Sequence, residues 1–262
     1  MNKEFGTKFE FKEQEPELKS SFTIIVSRHG EKNKGGELTE EGKIKAKELG
    51  KNLPIIDQMV IGSFHSDIKR TSDTAQAIVE GIKEKAVEMG KQITIKPLKN
   101  LSGRLKWNQK SEEILDEINK EFDKISNTKS FTESIEWWLK ESKDAPNIEV
   151  WTRAFARALN TFLFFGNKLK DKSNLMLNLV MHGGAPDNFV IKLLKQKGAI
   201  PTDATLKDIG GAFGYLDNFV IQGKNFTNGQ QKMKFYFRDY QIDISKSDLE
   251  QLISSLPKSK KE

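Results

Sequence analysis

The residues of this chain that are best suited to chemistry are Arg28, His29 and Gly30, which end the apolar run FTIIVS at positions 22–27. A short continuous run rich in β-branched residues is typical of a buried parallel strand, and open α/β folds bind ligands at the carboxyl ends of such strands. Arg28 has a planar fork of donors that suits phosphate or carboxylate. A neutral His29 beside arginine keeps a lone pair for nucleophilic attack, and Gly30 allows close backbone approach. The pattern predicts an anion site.

A second predicted strand, Met59 to Phe64, is also followed by polar residues, beginning with His65 and Ser66. Apolar residues at helical spacing then predict a helix over about 67–88, which Ser66 could cap. Arg70 falls in the first turn of this helix. An arginine there lies among free N–H groups at the positive end of the helix dipole, so it can reach an anion above the sheet.

A third predicted strand, Leu175 to Met181, ends in His182 and Gly183. Pro186 suits the first turn of the helix that follows. The glycines between them would free backbone N–H groups for an oxyanion. Three predicted strand ends therefore present polar groups that could share one site.

The chain resembles the histidine phosphatase superfamily, whose fold is shared with cofactor-dependent phosphoglycerate mutases. The resemblance rests on four stretches: Arg28 to Glu31, Leu38 to Gly42, Ser66 to Arg70 with Thr74 and Ala75, and Met181 to Gly184. It implies a three-layer α/β/α sandwich, with a mostly parallel sheet, an edge hairpin and a helical insertion.

The resemblance also implies the roles of the residues. His29 would accept a phosphoryl group, and water would hydrolyse the phosphohistidine. Arg28 and Arg70 would hold the phosphoryl oxygens, and His182 would contact them from the opposite side. No metal or cofactor is implied. Further phosphate or substrate contacts are expected at Gly30, Glu31, His65 and Gly183.

The proton donor to the leaving group is left open. Many superfamily members carry a glutamate for this role in a segment that resembles residues 98–107, and here Asn100 occupies its place. An amide does not act as a general acid. Another carboxylate could donate the proton instead, and the candidates are Glu31, Glu112 and Glu113. Alternatively, the leaving group could depart with little need for a proton.

Two functional alternatives follow from Asn100. Small phosphohistidine-protein phosphatases of the family lack the usual donor, and a phosphate or phosphoprotein binder would need none. A phosphoglycerate mutase is disfavoured, because residues 32–35 read KNKG instead of the Ser-x-Trp-Asn of those enzymes. The expected partner is a phosphorylated small molecule or a phosphoprotein, chosen by residues 101–148 and 32–37.

The expected organisation is a polar arm at 1–20, a phosphatase-like domain at 21–256 with a helical cap insertion at about 101–148, and a basic tail at 257–262. Within the domain, Thr39 is expected to cap a helix. Residues 147–166 are expected to form an amphipathic helix, and 246–256 a final helix. Strands at 213–222 and 233–244 would form the edge hairpin.

Composition narrows the class of protein. The 262 residues carry a formal net charge of +6, but lysines alternate with glutamates along predicted helix faces, so no basic stripe for nucleic acid is expected. The chain has no cysteine and three histidines, which excludes disulfides and makes a metal centre unexpected. No apolar run reaches membrane-spanning length, so we expect a soluble cytoplasmic protein without a membrane partner.

Overall fold

The computed structural model describes residues 16–101, 130–141 and 148–258. The helices are α1 (Glu40–Asn52), α2 (Lys69–Glu88), α3 (Phe131–Glu141), α4 (Ile148–Asn167), α5 (Ala185–Gln196) and α6 (Lys246–Ser255), with a 3-10 turn at Lys207–Ile209. The strands are β1 (Leu18–Arg28), β2 (Met59–His65), β3 (Ile93–Ile95), β4 (Lys99–Asn100), β5 (Asn174–Met181), β6 (Asn218–Phe226), β7 (Gln231–Phe237) and β8 (Tyr240–Ile244). None of the helices in these ranges is long and apolar enough to cross a bilayer.

The strands form one sheet in the order β3-β2-β5-β1-β6-β7-β8, and β4 pairs with β2 beyond β3. The pairs formed among β1 to β5 are parallel. β6 pairs antiparallel with β1. The β6–β7 and β7–β8 pairs are also antiparallel, because short turns join these strands directly. Arg28 is level with Met181, and Val180 is level with His65, so β1, β5 and β2 end at the same edge of the sheet.

Helices cover both faces of the sheet. Alternate residues of a strand face opposite sides: Ile25 packs with the cluster under α1 and α2, whereas Ile24 and Val26 pack with the cluster under α4, α5 and α6. All three side chains are buried, which explains the continuous apolar run of β1. The predicted three-layer α/β/α architecture is confirmed.

The antiparallel end of the sheet differs from the expected hairpin. The first strand begins at Asn218 rather than at 213 and continues to Phe226, because residues 213–217 form a loop at the sheet edge. The predicted second strand is two strands, β7 and β8. Arg238 between them has a φ of 49°, and this left-handed turn reverses the chain after Phe237.

Three expected boundaries fall partly outside the described residues. β1 begins at Leu18, so residues 18–20 belong to the sheet rather than to the arm. Ser20 is buried, and its hydroxyl accepts a hydrogen bond from the Asn225 side chain. Of the expected insertion, residues 101, 130–141 and 148 are described, while Glu112 and Glu113 lie outside the described residues. The tail beyond residue 258 lies outside them as well.

Helices α1 and α2 pack so closely that their backbones meet at two glycines. A Cβ on Gly50 would lie 2.1 Å from the carbonyl oxygen of Ile78, and one on Gly81 would lie 1.9 Å from that of Lys47. Thr39 caps α1 as predicted, because its hydroxyl accepts the Gly42 N–H at 3.0 Å. The buried residues of α1 are small, namely Gly42, Ala46 and Gly50, whereas Ile44 is 57% exposed.

Gly81→Ala is expected to destabilise the protein by more than about 1 kcal/mol, although alanine is the better helix former by about 1 kcal/mol. The added methyl group would overlap a backbone oxygen, which cannot rotate away as a side chain can. Chemical denaturation measures the free energy of unfolding. Lys83→Ala, an exposed position on the same helix, is the control and should change it by less than about 0.5 kcal/mol. A Gly81→Ala protein as stable as the parent would contradict this contact.

Candidate active site

The predicted polar residues meet where β1, β5 and β2 end side by side. His29 directly follows β1, His182 directly follows β5, and Ser66 directly follows β2. Arg70 enters from the first turn of α2. Because parallel neighbouring strands place their carboxyl ends together, residues far apart in the sequence become neighbours here.

His29 is held in one tautomer. It is 3% exposed, and its Nδ1 lies 2.8 Å from the carbonyl oxygen of Gly30. A carbonyl oxygen only accepts, so Nδ1 carries the hydrogen. The other nitrogen, Nε2, accepts the Nε–H of Arg70 at 3.1 Å. The lone pair of His29 is therefore on Nε2, and it faces the guanidinium of Arg70.

His182 lies beside His29, with ring centroids 5.2 Å apart in an edge-to-face arrangement. Its Nδ1 accepts from Arg70 Nη2 at 3.4 Å, and its Nε2 lies 2.8 Å from the hydroxyl of Ser66. A neutral His182 then donates from Nε2 to Ser66. Ser66 was expected to cap α2, but the N-cap residue is Ile68, which makes no side-chain cap bond. Ser66 instead orients the second imidazole.

Arg28 is fixed by a loop from the far end of the chain. Its Nη1 donates to the carbonyl oxygen of Phe213 at 2.6 Å. Its guanidinium carbon lies 4.0 Å from the ring centroid of Phe131 and 4.7 Å from that of Tyr215, so the cation is held between two aromatic rings. Burial lowers the pKa of Arg28 from its ordinary value, while the nearby Asp187 opposes this effect.

Asp187 links the loop that contains Phe213 to Gly184, which follows the end of β5. The carboxylate is fully buried, and its two oxygens accept the N–H groups of Gly184 and Phe213, both at 2.6 Å. Burial raises the pKa of Asp187, and the two N–H donors and Arg28 act against that rise. Asp187 therefore positions Phe213, whose carbonyl holds Arg28.

Both imidazoles are kept neutral. Burial, followed by the charges of Arg70 and Arg28, lowers the pKa of His29 to about 3, although the hydrogen bond to Gly30 acts in the opposite direction. Burial likewise lowers the pKa of His182 well below its ordinary value, with His29 and Arg70 adding to the effect. At neutral pH the site combines two cationic guanidinium groups with an unprotonated nitrogen on His29, which suits a nucleophile facing an anion.

The other predicted contacts lie around this cluster. The His65 ring donates to the Ser66 carbonyl at 2.6 Å. The Gly30 N–H donates to Thr74 at 3.1 Å, and a Cβ on Gly30 would lie 2.7 Å from Leu38, so this glycine provides close packing. The Glu31 carbonyl accepts from the Thr39 backbone at 2.9 Å.

Gly183 packs under α3, since a Cβ there would lie 2.9 Å from the Phe131 ring. Asn100 ends β4, level with His65.

Sequence reasoning did not assign Asp187, Phe131 or Tyr215 to the site. The spacing of Gly184 and Asp187 is that of a helix capping box, which could have indicated the first of these contacts. Nothing in the local pattern of residues 209–217 indicates that this loop reaches Arg28.

The low pKa of His29 predicts how stability depends on pH. Unfolded histidine takes up a proton near pH 6.5, whereas the folded state resists protonation until about pH 3. Folding stability should therefore fall as the pH drops from 6.5 toward 3, by about 2 kcal/mol at pH 5 from His29 alone. Urea denaturation from pH 4.5 to 7.5 measures this slope. The slope should be shallower in His29→Gln, and an equal slope in both proteins would contradict the buried neutral imidazole.

A protein-family model matches most of the chain. The model of the histidine phosphatase superfamily, branch 1, matches residues 24–206, which is more than half of the chain. No curated protein matches.

Solved structures that match the chain include a mycobacterial glucosyl-3-phosphoglycerate phosphatase, with 18% identity over 78% of this chain and 91% of that one and a TM-score of 0.39. A phosphoserine phosphatase from Entamoeba histolytica also matches, with 15% identity over 83% of this chain and 98% of that one and a TM-score of 0.40. A Hafnia alvei phytase matches with 10% identity over 92% of this chain and 97% of that one and a TM-score of 0.42. The span of the family model confirms the resemblance drawn from the four sequence stretches, and this chain belongs to the histidine phosphatase superfamily, branch 1.

Proposed function

We propose that the protein is a phosphatase that hydrolyses a phosphomonoester through a phosphohistidine at His29. The observation that supports this most directly is the lone pair of His29 Nε2, which lies 3.1 Å from Arg70 Nε within a group that includes Arg28 and His182. A phosphoryl group attacked by Nε2 would have its oxygens beside the guanidinium groups of Arg28 and Arg70. Phosphoryl transfer depends mainly on alignment and on positive charge around the equatorial oxygens.

The reaction would proceed in two steps. In the first, the phosphoryl group replaces the Arg70 Nε–H at Nε2. Nε2 then forms a bond to phosphorus while the bond to the leaving oxygen breaks, and the released Arg70 N–H can turn to a phosphoryl oxygen. The Nδ1–H bond to the Gly30 carbonyl stabilises the positive charge that develops on the ring. In the second, water attacks the phosphohistidine and inorganic phosphate leaves. Arg28 and Arg70 hold the phosphoryl oxygens in both steps, and His182 contacts them from the opposite side.

The substrate would enter between elements that border the cluster. The loop at residues 32–37 approaches Arg70, since a Cβ on Gly36 would lie 3.8 Å from Arg70 Nη1. Phe131 of α3 lies against Arg28 on another side. We propose a phosphorylated small molecule as substrate, and a phosphohistidine peptide is the alternative to compare with it.

Trapping the covalent intermediate tests this function. The protein would be mixed with a labelled aryl phosphate and quenched in alkaline denaturant within milliseconds. We expect label on the protein that survives base and is lost in mild acid, as a phosphoramidate bond requires. Hydrolysis without trapped label, or label that survives acid, would contradict the phosphohistidine route. Phosphohistidine peptide in the same assay compares the two substrate classes.

A further inference from the structure

Tyr215 stands at the open side of the cluster. Its ring centroid lies 4.7 Å from the guanidinium carbon of Arg28 and 5.7 Å from the ring centroid of His29. The residue is 42% exposed, whereas His29 beneath it is 3% exposed. One side of the phenol ring therefore faces the candidate phosphate site, and the rest is open to solvent, from which a substrate arrives.

Tyr215 also interacts with the second arginine. Burial lowers the pKa of both Arg28 and Arg70, and Tyr215 acts against this lowering in each case. The phenol side chain therefore borders the two groups that would hold the phosphoryl oxygens.

The loop that carries Tyr215 is held rigidly. Arg238 donates to the carbonyl oxygen of Gly211 at 2.8 Å and pairs with Asp217 at 2.9 Å, and Asp217 also accepts the Gly214 N–H at 2.9 Å. Leu216, next to Tyr215, has a φ of 63°, a left-handed conformation that is unfavourable for a non-glycine residue. A strained residue persists where its surroundings determine it, so the placement of Tyr215 is well determined.

The chemistry leaves a role for such a hydroxyl. When the phosphorus–oxygen bond of an alkyl phosphate breaks, the leaving oxygen needs a proton. Asn100 occupies the position of the glutamate that many family members use as proton donor. An amide does not donate a proton as a general acid. A tyrosine hydroxyl is among the groups that can.

We propose that Tyr215 is the proton donor to the leaving group. The inference rests on the proposed phosphatase function. As His29 Nε2 bonds to phosphorus, the hydroxyl hydrogen of Tyr215 passes to the leaving oxygen, which departs as a neutral alcohol. The charges of Arg28 and Arg70 stabilise the phenolate. It recovers its hydrogen from the water that attacks the phosphohistidine, so the residue is regenerated in each cycle.

Two substrates and a conservative variant test the proposal. p-Nitrophenolate departs without a proton, whereas the alkoxide of glycerol phosphate requires one. Tyr215→Phe keeps the ring against Arg28 and removes only the hydroxyl. We expect kcat for glycerol phosphate to fall about 100-fold or more relative to kcat for p-nitrophenyl phosphate, the usual range for loss of a general acid. Tyr236→Phe, the same change on β7, is the matched control and should leave the ratio of the two rates unaltered.

Other outcomes would overturn the proposal. An equal loss of kcat on both substrates would make Tyr215 a positioning residue for Arg28, and unchanged rates on both would remove it from the reaction. Failure of the parent protein to turn over either substrate would instead refute the proposed function, and the inference with it. Far-UV circular dichroism and the melting temperature of Tyr215→Phe show whether the fold is retained.

Discussion

His29→Ala is expected to reduce phosphatase turnover by roughly 10⁴–10⁶-fold, the range found when the nucleophile of a covalent mechanism is removed. The reason is that the attacking lone pair is on Nε2 of His29. The neighbouring His182 cannot replace it, because its Nε2 hydrogen is donated to Ser66 and its Nδ1 accepts from Arg70. No labelled phosphoenzyme should form. Initial rates on p-nitrophenyl phosphate and alkaline quenching of the variant measure both effects.

The stability of this variant has to be measured separately. Removing the buried ring leaves the Gly30 carbonyl and the Arg70 Nε–H without their partner, at a cost of about 1–3 kcal/mol for each buried group. His29→Gln replaces the ring by a polar side chain and serves as a second variant. If either protein is folded, binds phosphate and still turns over at more than a hundredth of the parent rate, His29 is not the nucleophile.

Arg70→Ala should lower kcat/KM by about 10²–10³-fold, comparable with the loss of one donor from an oxyanion site. Arg70 contacts both imidazoles, and its planar fork suits two phosphoryl oxygens at once. Inhibition by inorganic phosphate should weaken in parallel. The charge of Arg70 also lowers the pKa of His29, so its removal should move the acid limb of the kcat/KM profile to higher pH.

Two further variants separate charge from geometry. Arg70→Lys keeps the charge but loses the fork, so its activity should lie between those of Arg70→Ala and the parent. Lys69→Ala removes the neighbouring cation on the same helix, whose side chain is 80% exposed and lies near Asp73 rather than at the site. It should change kcat/KM less than about twofold. Unchanged phosphate inhibition in Arg70→Ala would remove Arg70 from the phosphate site.

The sequence alone determined the four side chains on which the proposal depends. Arg28, His29 and His182 each lie at or just after the end of an apolar strand, and Arg70 lies in the first turn of a helix. These are local patterns, because burial of a strand and the start of a helix depend on neighbouring residues. Parallel pairing then places such strand ends together. The helix cap at Thr39 is likewise predicted from its neighbouring residues.

Only the tertiary structure decided how those side chains are held. Arg28 meets a carbonyl 185 residues away, and Ser66 meets an imidazole 116 residues away. The strand predicted at 233–244 is two strands in the structure, because the left-handed conformation of Arg238 reverses the chain between β7 and β8. Contacts of this kind depend on the order of strands in the sheet and on loop paths. Local patterns of polar and apolar residues encode neither, so the position of Tyr215 beside Arg28 follows from the tertiary structure alone.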